Sequence, residues 1–148
     1  MIVFVSALLK EIFKKGKNYP WPRPDTCPCC KASNLWGHGH VTAYFDGFSH
    51  ALYLRRYRCP GCGCVVKLKP DGYLIRFQAS VKKIRSSICC KLKTNRWLPG
   101  LSRSRQNHWF RSLIRKTKAY LGNRWDQNLL KAFDFLIHKG QNPVSRSI

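Results

Sequence analysis

Two pairs of cysteines have the spacing of a metal site. Both pairs belong to segments of the pattern C-P-x-C, one at residues 27–30 and the other at residues 59–62. Two thiolates at this spacing can bind one ion from a single tight turn, and two such turns supply the four sulfurs that Zn²⁺ takes in structural sites. The sequence therefore predicts a Zn²⁺ cofactor held by Cys27, Cys30, Cys59 and Cys62.

Other side chains near the two pairs leave the ligand set open. Cys29 and Cys64 adjoin the pairs, and His38 and His40 lie in the spacer between them. This spacer, residues 31–58, is longer than the roughly 15–20 residues common in such sites, but one β-hairpin and its loop would fill it. Four thiolates also resemble the iron site of rubredoxin-like electron carriers. Those carriers tend to be acidic, which disfavours the iron alternative for so basic a chain.

The second chemical feature of the sequence is its positive charge. The 148 residues include 28 Lys and Arg but only 6 Asp and Glu, which gives a formal net charge of +22. Half of the basic residues, 14, lie between Asp71 and Asp126, where no acidic residue occurs. Solvated helices normally interleave both signs of charge, so this segment favours a polyanionic partner. We expect nucleic acid, with DNA favoured over RNA, and an anionic membrane surface as the alternative.

The acid-free segment contains the candidates for nucleic-acid contact. A helix that starts at Ser102 or Ser104 would carry a polar stripe opposite its aromatic face and a polar cluster at its N-terminus. Arg, Gln and Asn can reach base edges in the major groove, and a helix N-terminus favours phosphate. The candidate residues are Lys82, Lys83, Arg85, Arg103, Arg105, Gln106, Asn107, His108, Arg111, Arg115 and Lys118.

The elements that position these residues begin with residues 1–19. Apolar residues at helical spacing predict an amphipathic helix packed on the body of the protein, with a weak membrane-surface anchor as the alternative. The first nine residues are uncharged, too few to span a bilayer, and the lysines follow this run instead of preceding it. We therefore expect no transmembrane segment, no export signal and a location in a reducing cytoplasm. The apolar residues are Val5, Leu8, Leu9, Ile12 and Phe13.

Residues 20–72 predict a small β domain around the cysteines. Residues 40–45 and 51–58 alternate as strands do, Asp46-Gly47 indicates the turn between them, and residues 64–68 suit a third strand. Four aromatic side chains are expected to pack around this zinc ribbon, while their alternation leaves some of them exposed for stacking on bases or on a partner. They are Trp36, Tyr44, Tyr53 and Tyr57.

Residues 73–140 predict three helices, and residues 141–148 a flexible tail. The first helix begins near Ser80, and the second ends at Gly122. Asn123 is expected to cap the third helix, with Asp126 in its first turn. The predicted fold class is α+β, a small β zinc ribbon followed by a basic three-helix unit of helix-turn-helix type. The segment between the first two helices, residues 94–101, is longer than the minimal turn of that motif.

The order of these segments resembles a known family. The C-P-x-C pairs, the run Trp36-Gly37-His38-Gly39-His40 and the stretch 54–62 are similar to the N-terminal zinc ribbon of bacterial insertion-sequence transposases. Residues 96–109 resemble the helix-turn-helix of short proteins associated with those transposases. The resemblance covers roughly residues 20–121 and implies a zinc-dependent DNA-binding module of a mobile element, with a transposase as a possible partner.

Catalysis is not expected from this sequence. Transposases of this broad kind use three carboxylates and two metal ions, whereas the six acidic residues here are scattered over unrelated elements. We predict a non-enzymatic protein. The alternatives are an RNA- or ribosome-associated zinc ribbon, an iron electron carrier, or a docking subunit of a transposase. The acidic residues are Glu11, Asp25, Asp46, Asp71, Asp126 and Asp134.

Overall fold

Strands occupy the first half of the chain and helices the second. The structure, a computed structural model, describes residues 1–123, 125 and 127–146. The chain divides into two units, which we call the sheet unit (Met1–Ala79) and the helical unit (Ser80–Ile148). Among the described residues the fold consists of a four-stranded sheet and four α-helices, which confirms the predicted α+β class.

The sheet unit is built on four strands in the order β1-β4-β3-β2. Strand β2 spans Trp36–Ala43, β3 spans Leu52–Arg58 and β4 spans Val65–Pro70, and these three pair in antiparallel fashion. Strand β1, Ile2–Val5, lies parallel to β4 at the edge of the sheet. The hairpin β2–β3 thus fills the long spacer between the cysteine pairs.

The prediction of one helix over residues 1–19 is wrong for the first residues. They form β1, since the β-branched run of Ile2, Val3 and Val5 suits a strand and the edge of β4 offers a partner. A shorter helix follows, α1, at Leu9–Lys15, and a 3-10 turn at Gly16–Asn18. Periodicity over so few residues could not separate a strand from a helix. Within α1, Ile12 is fully buried in the core of the sheet unit.

The core of the sheet unit includes two of the cysteines. Cys27 and Cys59 are buried with the apolar side chains of the strands, whereas Trp36 and Tyr44 are 61% and 64% exposed. Trp36, on the edge strand β2, and Tyr44, in the segment after it, are therefore among the aromatics that alternation leaves exposed, whereas Tyr57 is in the core. The remaining core residues are Ile12, Trp21, Leu35, Phe45, Leu52, Leu54, Tyr57, Val66 and Leu68.

The first two helices of the helical unit begin at the predicted caps. Helix α2 spans Val81–Thr94, and the Ser80 hydroxyl accepts a hydrogen bond from the Lys83 amide at 3.1 Å. Helix α3 spans Arg103–Leu121, and Ser102 caps it by accepting from the Arg105 amide. Each serine oxygen satisfies an amide that has no partner within its helix.

The third helix starts later than predicted. Helix α4 spans Leu129–His138, and Asn128 caps it by accepting from the Lys131 amide at 2.9 Å. The prediction of Asn123 as the cap is wrong, because the chain leaves α3 at Gly122 and resumes a helix only before the apolar run at 129–130. Asp126 lies outside the described residues. None of the described helices has the length and apolar content needed to cross a membrane.

The C-terminal segment packs on the helical unit instead of forming a flexible tail. Pro143 and Val144 are buried, and Val144 is fully inaccessible. The Gln141 amide donates to the Leu136 carbonyl, and the Val144 amide donates to the Asn142 side chain. The predicted tail is therefore wrong for residues 141–146, whereas 147 and 148 lie outside the described residues.

Candidate metal centre and basic surface

The two C-P-x-C segments fold into turns with the same backbone hydrogen bonds. In the first turn, the Lys31 amide donates to the Cys27 carbonyl at 2.9 Å, and the Cys27 amide donates to the Ala32 carbonyl at 2.8 Å. In the second turn, the Gly63 amide donates to the Cys59 carbonyl at 3.0 Å, and the Cys59 amide donates to the Cys64 carbonyl at 2.9 Å. The two turns therefore present their cysteine pairs in the same way.

A left-handed residue closes each turn after its second cysteine. Lys31 has φ 65° in the first turn, and Gly63 has φ 73° in the second. This conformation is open to glycine but strained for a residue with a Cβ. The second turn has a glycine at this position, as its backbone requires, whereas Lys31 in the first turn has a strained backbone conformation.

The four predicted sulfurs converge on one point. All four Sγ atoms lie within 4.8 Å of one another, with 3.7 Å between Cys27 and Cys62 and 3.4 Å between Cys30 and Cys59. A tetrahedral zinc site with Zn–S bonds of about 2.3 Å would place its sulfurs roughly 3.8 Å apart. The separations fit such a site and far exceed a disulfide bond, and all four cysteines are free.

The environment of the sulfurs favours thiolates at two positions and a proton at a third. The pKa of Cys27 falls to about 6, chiefly because the Cys30 amide donates to its sulfur. The Cys62 amide likewise lowers the pKa of Cys59. At Cys62 the Cys64 amide lowers the pKa, but burial and the three neighbouring thiols outweigh it and raise the pKa to about 12. Four thiolates repel one another in so small a space, and a divalent cation would remove that repulsion.

The structure distinguishes the four predicted cysteine ligands from the alternative ligands nearby. Cys29 and Cys64 lie next to the centre, but among the described residues only the four predicted cysteines form a group able to hold one ion. The Cys64 thiol lies 3.9 Å from the Val65 carbonyl, and burial raises its pKa. His38 and His40 lie on β2, where the His40 ring packs edge-on against Tyr53. The four-cysteine set is therefore the one that the fold brings together.

Most of the candidate nucleic-acid contacts are exposed on the helical unit. Asn107 and His108 are half-buried on α3. The exposed candidates are Lys82, Lys83 and Arg85 on α2, and Arg103, Arg111, Arg115 and Lys118 on α3. That these residues contact nucleic acid stays a prediction.

Gln106 cannot read bases in this fold, which corrects the prediction for that residue. Its side chain is fully buried, and its carbonyl oxygen accepts from the Ser87 hydroxyl at 2.6 Å and from the Leu98 amide at 3.0 Å. Its amide nitrogen donates to the carbonyls of Leu98 and Leu101. Gln106 therefore fixes the segment between α2 and α3. A single sequence gives no sign of this role, because a buried glutamine cannot be told from a surface one by its position near a helix N-terminus.

Two candidate arginines already have partners inside the helical unit. Arg85 forms two hydrogen bonds of 2.8 Å with the Asp134 carboxylate, which lowers the pKa of Asp134. The Arg105 guanidinium lies 5.1 Å from the centre of the Trp109 ring, within range of a cation–π contact. Both side chains hold the unit together as well as adding to its charge.

A cleft in the helical unit gathers cationic side chains from two parts of the sequence. It has a volume of about 530 Å³ and is lined by His108, Arg111, Ser112, Arg115 and Arg146. Sequence reasoning selected three of these residues but not Arg146, which was assigned to a tail. The sequence clue was the apolar Pro143-Val144 pair just before it, which anchors the segment.

The chain was compared with known proteins on the basis of its sequence and its fold. No protein-family model, no curated protein and no solved structure matches it.

Proposed function

We propose that the protein is a zinc-dependent, non-catalytic DNA-binding protein. DNA binding is supported by one observation, the exposed cationic surface of α2 and α3. Both helices lie in the segment between Asp71 and Asp126, which contains no acidic residue. The phosphate backbone of nucleic acid is the polyanion that such a surface attracts. The counterions that this backbone releases on binding supply the affinity. Because Gln106 is committed to the core, phosphate contact is favoured over extensive base reading by the start of α3.

Zinc is the metal that we assign to the four-cysteine centre. The donor set of four thiolates at sulfur separations of 3.4 and 3.7 Å supports a tetrahedral ion of this size. Zn²⁺ bound there would join the two turns and stabilise the sheet unit, whose core includes Cys27 and Cys59. Iron would fit the same sulfurs, and the red colour of a ferric thiolate site would distinguish it.

Association with a mobile element is the narrowest part of the proposal. It is supported by the resemblance of residues 20–121 to the zinc ribbon and helix-turn-helix of transposase-associated proteins. The connection between α2 and α3, residues 95–102, is longer than the short turn of that motif. The resemblance adds a transposase partner and a bacterial, nucleoid-associated location to the proposal, and the charge pattern of the first residues adds a cytoplasmic one.

Metal analysis and DNA binding test the proposal on the full chain. We expect one zinc per chain and binding of a mixed-sequence 20-base-pair duplex that weakens steeply with salt, with a slope of about −0.9 per phosphate neutralised. Cys27→Ser should lose zinc and weaken DNA binding, because the sheet unit, whose core includes Cys27, would unfold and the arginines of β3 would lose their fixed positions. Cys29→Ser is the matched control, since it removes a neighbouring thiol outside the ligand group.

Several results would contradict the proposal. Full zinc content in Cys27→Ser would refute the ligand set. An affinity for the duplex that does not change between 0.05 and 0.3 M salt would refute the electrostatic part. Preference for a single-stranded RNA over the duplex would favour the RNA-associated alternative.

A further inference from the structure

The cleft at α3 combines positive charge with room for a ligand. Its volume of about 530 Å³ lies within the range of sites for small molecules. His108, Arg111, Ser112 and Arg115 follow the spacing i, i+3, i+4, i+7 and therefore line one face of the helix. Among the described residues, no acidic side chain lines the cleft.

The C-terminal segment completes the cleft from the other side. Buried Val144 anchors that segment, and Arg146 lies two residues beyond it. One Nη2–H of Arg115 donates to the Arg146 carbonyl at 2.8 Å. This bond orients the Arg115 guanidinium and leaves most of its five N–H donors available. Two arginines that are far apart in sequence are thereby held at one site.

The field in the cleft favours an anion. Burial lowers the pKa of His108, and the charges of Arg146 and Arg115 lower it further. The two arginine charges that lower this pKa are the charges that an anion in the cleft would meet. Neutral histidine and serine side chains can each donate one hydrogen bond, and arginine forks match the oxygens of a phosphate.

We propose that this cleft binds a backbone phosphodiester of duplex nucleic acid, with Arg111, Arg115 and Arg146 as the charged donors. The inference rests on the proposed function, because it takes nucleic acid as the partner, and it names the contact point. Arginine is suited to such a contact because its planar guanidinium can form two parallel hydrogen bonds with phosphate oxygens. A site of this kind positions the protein on the duplex without reading sequence.

The test measures the salt dependence of duplex binding by full-length, zinc-loaded protein. Fluorescence anisotropy with a labelled 20-base-pair mixed-sequence duplex is recorded from 0.05 to 0.3 M salt for wild type and for Arg111→Gln/Arg146→Gln. This double variant leaves the Arg115 side chain and the Arg146 carbonyl in place. We expect the slope to fall in magnitude by about 1 to 2, since each lost phosphate contact removes about 0.9.

A matched variant separates the cleft from overall charge. Lys93→Gln/Lys131→Gln removes the same charge from exposed positions of α2 and α4 outside the cleft. We expect its slope to change by less than half as much. Thermal unfolding of all variants verifies that they fold. Arg146→Lys retains the charge but removes the forked guanidinium, so it should keep the slope of wild type with a weaker affinity.

The outcomes separate this inference from the proposed function. If wild type binds with a steep slope and the two double variants behave alike, the cleft assignment is overturned and the proposed function stands. If wild type does not bind the duplex, both fall. If the cleft variant loses binding to phosphatidylglycerol vesicles, or to a poly-glutamate peptide, but not to the duplex, the site takes another anion and the inference is refuted.

Discussion

The metal centre and the basic surface differ in how directly the sequence determines them. At the centre, each turn is defined by six consecutive residues whose backbone hydrogen bonds bring two thiols together. On α3, the outward or inward direction of a side chain depends on how the helix packs. Gln106 and Lys116 illustrate this, since both are polar and both are buried. Local spacing thus predicts well which thiols come together, whereas the exposure of a charged helix face depends on contacts that are distant in sequence.

Lys116 shows how packing removes a charge from the surface. Its side chain is 3% exposed, and its ammonium lies 5.4 Å from the centre of the Tyr120 ring. Burial is the main reason why its pKa is lowered. The positive charge of the helical unit is therefore less exposed than its lysine and arginine content alone indicates.

Removing the zinc that we assign to the four-cysteine centre should have the largest effect, and it should unfold one unit only. We expect a strong chelator at pH 7 to unfold the sheet unit, because its core contains Cys27 and Cys59, while α2, α3 and α4 remain helical. Amide hydrogen exchange, followed residue by residue, measures this difference. Equal loss of protection in both units would show that the metal supports the whole chain, and unchanged protection would show that it supports neither.

Replacing Gln106 should destabilise the helical unit strongly. Gln106→Met keeps the volume but leaves the buried Ser87 hydroxyl and partly buried backbone groups of Leu98 and Leu101 without a partner. We expect a loss of about 3 kcal/mol in unfolding free energy. Urea unfolding measures it, with Asn107→Met at a half-buried neighbour as the control. A change in the preferred DNA sequence at unchanged stability would instead restore Gln106 as a base-reading residue.

The two cysteine turns should respond in opposite directions to changes at their left-handed residues. Gly63→Ala introduces strain at φ 73° and should cost about 1 kcal/mol, whereas Lys31→Gly removes strain at φ 65° and should stabilise the zinc-bound protein by about 0.5 kcal/mol. Thermal unfolding of the zinc-loaded variants checks both signs. If Lys31→Gly were destabilising, the lysine side chain would be making a contact that outweighs its backbone strain.

Breaking the Arg85–Asp134 pair should have the smallest effect. Both side chains are about half exposed, so Asp134→Asn should cost less than about 1 kcal/mol at pH 7. Because the pair lowers the pKa of Asp134, its contribution is present above the unfolded pKa of about 3.9 and is lost as pH falls through the lower folded value. An NMR titration of the carboxyl carbon checks the direction. A carboxyl that titrates above its ordinary pKa would contradict the pairing.

The sequence predicted the elements that short-range rules control. The cysteine pairs, the start of α2 near Ser80, the start of α3 at one of two serines (Ser102 or Ser104) and its end at Gly122 follow from spacing and from the chemistry of helix ends. Strand β1 could not be predicted, because a four-residue apolar run becomes a strand only where a sheet edge accepts it. The position of Arg146 depends likewise on a distant contact, the anchoring of Val144.

The irregular edge strand β2 has a consequence for self-association. Its pairing with β3 shifts register between Gly37 and His40, and Gly39 adopts a positive φ of 70°. An open strand edge can template the strand of another copy, and a bulge interrupts the row of backbone donors and acceptors that such growth needs. We therefore expect the irregularity at these two glycines to limit pairing of β2 with a strand of another copy.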